Sequence, residues 1–285
     1  MGKGKTILGA SLILIGISYF AYQTMGVSIF QREVANVDKK WVIQPNDIKN
    51  LDVQGGSTDL QVEFIPSEND ESYILVEGTA LGDVAQKIES AQIANHTLSL
   101  DLASDEWHFL SFDTRERTLL VTVALPEEKM LDTVALRLRS GDGSYDHIKA
   151  KRVQIEAASG NMDISGIAAQ DIRIESSSGN INASEIQGTT RIASKSGSVS
   201  VDQLSGDSVV DSTSGDVDIV QKTPANADIT ARSGSVTFTV AENYAGRYQL
   251  HANSGEIEAP VAKGETEDVV KIQTNSGDIT VNESE

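Results

Sequence analysis

From about residue 131 the chain alternates apolar and polar residues, and the alternation comes in registered blocks. Each block is pinned by a Ser-Gly step, a polar residue, and then an aliphatic-polar-aliphatic run. Ser159-Gly160-Asn161-Met162-Asp163-Ile164, Ser196-Gly197-Ser198-Val199-Ser200-Val201 and Ser214-Gly215-Asp216-Val217-Asp218-Ile219 show it in full. Further copies start at Ser178, Ser233, Ser254 and Ser276, with a degenerate one at Ser140. With the Ser as zero, positions −6 and −4 are mostly aliphatic (Val153/Ile155, Ile172/Ile174, Val270/Ile272). So are +3 and +5 (Val199/Val201, Val217/Ile219, Ile257/Ala259), while −2 is small (Ala157, Ser176, Ser194, Ser212, Thr274). A spacing of two is strand spacing, not helix spacing. Each block therefore predicts strand, tight corner, strand. Gly sits at a corner that needs positive φ, and the Ser before it is assigned to turn hydrogen bonding.

The block glycines lie 19, 19, 18, 18, 19, 21 and 22 residues apart. A fixed period of that size predicts an all-β chain built as a single-stranded β-solenoid, because one unit cannot bury its apolar face alone. At about 4.8 Å per rung, eight rungs make a rod of about 35–40 Å. An ordinary β-sandwich is the rival, but sandwich strands have no reason to repeat one residue template eight times. The template also fits Leu51/Val53 and Leu60/Val62 around Ser57, which makes 48–62 an early rung or a rung-like hairpin. Between 63 and 130 the period fails. Tyr73–Val76, Thr97–Leu102 and Thr118–Leu125 still alternate, Val84–Ala91 suits a short helix, and Pro126 with Glu127-Glu128 marks a break.

The N-terminus reads differently. Lys3 and Lys5 precede a stretch without charge up to Arg32, apolar over Ile7–Tyr22. That predicts a transmembrane helix over residues 6–31 with a cytoplasmic stub at 1–5, because a positive flank stays inside. A cleaved signal peptide is the rival, and no small-x-small cleavage site precedes Gln23. The expected organisation is thus stub (1–5), anchor (6–31), irregular β region capping or beginning the solenoid (32–130), and regular solenoid (131–285), with the last two extracytoplasmic.

Charge and composition narrow the function. The chain has 285 residues, no Cys and a net charge of −19. Residues 1–31 hold two Lys and no acid, so the remainder carries 21 bases against 42 acids, or −21. Such a surface argues against nucleic acid and against lying flat on anionic lipid. Lack of Cys excludes disulfides, thiolate zinc sites and Cys nucleophiles. His96, His108, His147 and His251 share no metal-ligand spacing, and Gly4-Lys5-Thr6 lacks the rest of a P-loop. Carboxylate pairs at i, i+2, such as Asp216/Asp218 and Glu256/Glu258, stand about 6.5–7 Å apart on a strand. That overlaps the separation used by inverting glycosidases, and stacked carboxylates could instead hold Ca²⁺. No aromatic sugar platform accompanies them, so neither catalytic residues nor a cofactor is assigned.

The outward positions separate by sign. Positions +2 and +4 carry seven acids (Asp142, Asp163, Asp216, Asp218, Glu256, Glu258 and Asp278) and no Lys or Arg, while Arg137, Arg139, Arg173, Arg191, Lys195, Arg232 and Lys271 collect at −5, −3 and −1, against Glu156, Glu175, Asp211 and Asp228. This predicts a relatively basic face for docking a partner. Its bland counterpart is charge spread that discourages edge pairing.

The Leu51–Val62 opening, the apolar Leu119–Pro126 strand and the Ser-Gly-[Asp/Asn/Ser]-[Ile/Val] rungs, behind one N-terminal span, resemble the bacterial putative-adhesin β-solenoid family, also called LiaG-like. The resemblance covers roughly residues 41–285. It implies the solenoid fold, a place among accessory proteins of Gram-positive envelope-stress systems, and no catalytic residues. The expected function is a non-enzymatic, membrane-anchored binding protein whose partner is an envelope protein or wall polymer. The rivals are a polysaccharide-acting β-helix enzyme and a passive spacer.

Overall fold

The computed structural model describes residues 34–44, 47–67, 71–104 and 118–284. The expected stub and membrane span fall outside them. Among the described residues no helix is long and apolar enough to cross a membrane.

The chain is a β-solenoid, and its core rows are those the alternation marks. In the middle, β8 (Leu131–Leu138), β9 (Gly143–Ala157), β10 (Met162–Ser176), β11 (Ile181–Ser194), β12 (Val199–Ser205), β13 (Ser208–Ser212), β14 (Val217–Gln221), β15 (Ala227–Ser233) and β16 (Val236–Val240) stack in parallel. Equivalent template positions pair: Met162 with Ile181, Ile181 with Val199, Val199 with Val217, and Val217 with Val236. Ile155, Ile174, Ile192, Val210 and Ile229 form the matching row on the other ladder, and all are fully buried.

Two corners shape each rung. At the Ser-Gly corner Gly179 and Gly197 have φ of +119° and +113°. A Cβ on either would collide with the carbonyl oxygen of the glycine one rung back. Sign of φ and rung spacing therefore both demand glycine. The template Ser itself is exposed. The turn bond comes from the small −2 residue instead: Ser176 and Ser194 Oγ donate to the carbonyls of Gly179 and Gly197, both at 3.2 Å, and Thr274 Oγ1 donates to Gly277 at 2.9 Å. The −2 hydroxyl is buried and fixes the turn, which corrects the role given to the Ser at zero. The second corner, at +7, has no sequence signature. His147, Gly166, Glu185 and Gln203 stack there with φ of +55°, +73°, +55° and +56°.

The position after the Ser-Gly pair also has structural work. Asp142 Oδ1 accepts the Asn161 N–H (2.8 Å), Asn161 Oδ1 the Asn180 N–H (3.1 Å), and Asn180 Oδ1 the Ser198 N–H (3.0 Å). Asp216 and Asp278 do the same for Ser235 and Glu256. Part of the acidic +2 row is thus a side-chain ladder that satisfies corner amides.

At both ends the order of rungs departs from the order of the chain. The early rung, β2 (Asn50–Gly55) and β3 (Asp59–Pro66), sits inside the stack. Leu51 pairs with Val134 on one side and with Leu98 of β6 (Thr97–Leu102) on the other. Its second half pairs with β9 and with β7 (Thr118–Leu125). Beyond β7 lie β4 (Tyr73–Leu81) and β1 (Val34–Val42), both antiparallel. The short helix α1 (Gly82–Ser90) buries Val84, Ala85 and Ile88, and β5 (Ile93–Ala94) hairpins with β6. Lys87 on α1 binds Asp101 Oδ2 at 2.9 Å and the Ala103 carbonyl at 2.7 Å. That hydrogen bond holds the Asp101 carboxyl below the usual aspartate range.

At the other end, β19 (Val269–Ser276) and β20 (Ile279–Glu283) insert between the β15/β16 rung and the rung of β17 (Arg247–Ala252) and β18 (Ile257–Glu258). The Ser254 rung is therefore outermost. Ile257, expected in the core, is 46% exposed for that reason. Tyr244 closes part of this end by stacking on Tyr248 at 5.6 Å. Burial pushes its hydroxyl up to about 12.

Candidate binding groove

The rows at −7 and −5 point outward from the strand that enters each Ser-Gly corner. Between them runs a groove of about 670 Å³ across six stacked rungs, from Arg152–Gln154 to Val269 and Lys271. At the rung spacing it is about 24 Å long. Arg173 and Arg191 are direct ladder partners, and Arg152 pairs with Asp171 in the −7 row. Arg173 forms an ion pair with Glu175, and Lys271 Nζ meets Asp228 at 3.0 Å. Among the described residues Arg152 and Arg191 have no ion-pair partner. Asp207 is already engaged, since its Oδ1 accepts the Asn226 N–H at 3.0 Å. Basic groups therefore dominate the half of the groove nearest the N-terminal cap.

The docking residues expected from the sequence do not form one face. Arg173, Arg191 and Lys271 line the groove. Arg137 and Arg139 line a separate cleft with Asp101, Glu156 and Glu175, where Arg137 is held by Asp52 at 2.7 Å and by Glu156 at 3.8 Å. Lys195 and Arg232 stand alone on the −1 row, two rungs apart. Arg152 was missed because the template begins at −6. Its signal was available in the basic pair Lys151-Arg152 next to the first apolar position.

Among the described residues no three His, Asp or Glu side chains are grouped so as to hold a metal. Asp216, half of the best carboxylate pair, caps the corner amide of Ser235 at 2.9 Å. His96 and His147 occupy positive-φ turns, His251 is exposed beside Asn253, and His108 lies outside the described residues.

Residues 48–282 match the Toastrack DUF4097 family. The chain belongs to that family. The Toastrack match runs from β2 to β20 and leaves out residues 1–47, β1 among them, and the last three residues. The chain matches no curated protein by sequence. Among solved structures it is similar to a putative adhesin from Parabacteroides distasonis (12% identity, 89% of this chain and 98% of that one, TM-score 0.49). A putative adhesin from Bacteroides fragilis gives 13%, 89%, 98% and 0.46. A putative lipid binding protein from Parabacteroides distasonis gives 11%, 87%, 97% and 0.38. At these identities and overlaps the Toastrack assignment rests on the sequence match.

Proposed function

We propose that this Toastrack chain is a non-enzymatic, membrane-anchored, extracytoplasmic binding protein of the cell envelope, LiaG-like in kind, and that its −7/−5 groove captures a linear acidic polymer. The observation that carries this reading is the set Arg152 (in the −7 row), Arg173 and Arg191 (both in the −5 row) on three successive rungs of a long groove, on a chain of net charge −19. Cations that persist on so acidic a surface concentrate attraction where a polyanion can lie along the rod. The anchor and the outward orientation are supported by Lys3 and Lys5 ahead of an uncharged span.

The full chain, reconstituted in neutral liposomes, should float with them and carry polygalacturonate but not dextran. Binding should weaken steeply with salt. Reversing Arg152, Arg173 and Arg191 to Glu should reduce polygalacturonate capture by about tenfold or more, while Arg232→Glu, off the groove, keeps it. A chain that stays at the bottom of the gradient sinks the anchor. Equal losses from the triple variant and from Arg232→Glu, or equal binding of dextran, sink the groove reading.

A further inference from the structure

A second site arises where the sheet forks. In β9, β10, β11 and β12 the +7 residue takes positive φ and turns the strand. The equivalent position of β3 is Phe64, which does not. β3 and β9 therefore run together from Leu60/Gly143 to Glu63/Asp146 and then part. β3 goes straight on, with Phe64, Ile65 and Pro66 paired to Val123, Ala124 and Leu125 of β7. β9 bends away at His147 and loses β3 there while keeping β10 on its other side, where Ile148 and Lys149 pair with Ile167 and Ala168.

The fork opens a cleft of about 410 Å³. That falls within the roughly 300–1,000 Å³ typical of small-molecule sites. One wall is apolar: Phe64, Ile65, Pro66, Leu125 and Pro126. Pro66 ends β3 and Pro126 follows β7, and neither offers a backbone N–H, so this wall has few groups for a polar ligand. The mouth carries Lys129 and Lys149 with Glu127 and His147. Among the described residues neither lysine makes an ion pair. Two unpaired cations at the mouth of an apolar cleft, on a protein of net charge −19, complement a ligand with an anionic head and an apolar tail.

We infer that the fork cleft binds a single-chain anionic amphiphile, a medium-chain carboxylate of the decanoate class, with its alkyl chain against Phe64, Ile65 and Leu125 and its carboxylate at Lys129 and Lys149. This site lies apart from the groove and does not depend on it. Head and tail should both be read. Each methylene that enters an apolar site adds about fourfold in affinity, so octanoate should bind about 15-fold more weakly than decanoate.

The test uses the full chain in its own membrane with a diazirine-bearing decanoate and mass-spectrometric mapping of the adduct. The expected adducts fall within residues 64–66 and 125–126. Excess decanoate should suppress them, octanoate about 15-fold less effectively, and decanol poorly. Lys129→Glu with Lys149→Glu, both at the mouth, should reduce labelling at least about tenfold with the thermal midpoint unchanged. Ile65→Ser, on the half-buried wall, is the second variant and should lower labelling while the charges stay in place. Absent or scattered adducts overturn the site. Labelling that decanol suppresses as well as decanoate, or that survives both variants, overturns the anionic amphiphile as its ligand.

Discussion

The middle of the solenoid and the rungs inserted near its two ends share one residue template, yet they obey different rules of adjacency. Between Gly143 and Gln221 each rung stacks on the next in the chain, and inward side chains stack on inward side chains, most of them aliphatic. At the ends the chain lays an outer rung and an inner rung out of order. A template position there can be buried or bare depending on which face its rung presents. Val217 and Ile257 both occupy +3, but Val217 is 1% exposed and Ile257 46%. The pattern of a strand states which way a side chain points; it does not state whether anything lies beyond it.

The sharpest break of this comparison is a matched pair of substitutions. Val217→Asp places an unpaired carboxylate between Val199 and Val236 and should cost about 4 kcal/mol or more, unfolding several rungs. Ile257→Asp, at the same template position, should cost under about 1 kcal/mol because water already reaches it. Urea denaturation of both variants measures the difference, and equal losses would mean the outer rung is covered. Within the same strand, Asp218→Ala, on the outward side one residue along, should cost under about 0.5 kcal/mol, and a loss equal to that of Val217→Asp would mean the register is wrong.

Hydrogen exchange sharpens the rung order. β19 is bonded on both sides, whereas among the described residues β17 is bonded only to β19. Amides of β17 should exchange at least about 100-fold faster than those of β19, a gap of roughly 3 kcal/mol, although β19 is later in the chain. Protection that falls steadily toward the C-terminus would restore the linear order.

The smallest effect tests where the cap joins the regular stack. Tyr145 lies between Val62 and Ile164, fully buried, and its hydroxyl has no partner. Desolvation drives its ionisation far above the ordinary tyrosine range. Tyr145→Phe should therefore raise stability by about 1 kcal/mol in thermal or urea unfolding. A loss of that size would reveal a hydrogen bond at the junction.

Much of this was legible in the residues. Period-two rows gave the core, the glycine spacing gave the rungs, and the Ser57 block gave the early one. Three features were not. Rungs at Ser233, Ser254 and Ser276 share one template, so nothing in their side chains says which two touch; only the longer spacings of 21 and 22 set them apart. The +7 corner is occupied by His147, Gly166, Glu185 and Gln203, residues with no common chemistry, because stacking rather than side-chain type holds it. The basic face was read as one because −5, −3 and −1 all point outward. In the fold −5 joins −7 to make the groove, while −3 and −1 belong elsewhere.

The out-of-order rungs also set a sequence of events for assembly. Middle rungs join residues 19 apart, as Met162 joins Ile181. The C-terminal insertion joins Ala227 to Val270, 43 apart, and the N-terminal one joins Asn50 to Thr133, 83 apart. Each doubling of the loop costs about 0.6 kcal/mol, so closing the longest takes about 1.3 kcal/mol more than closing a middle rung. The middle can therefore zip locally while both ends wait, and the two clasps close last. Pulsed hydrogen exchange during refolding would show this as protection of the β10, β11 and β12 amides preceding that of β2 and β19. A rod formed this way has its late, slow steps at its tips and its fast ones at its waist.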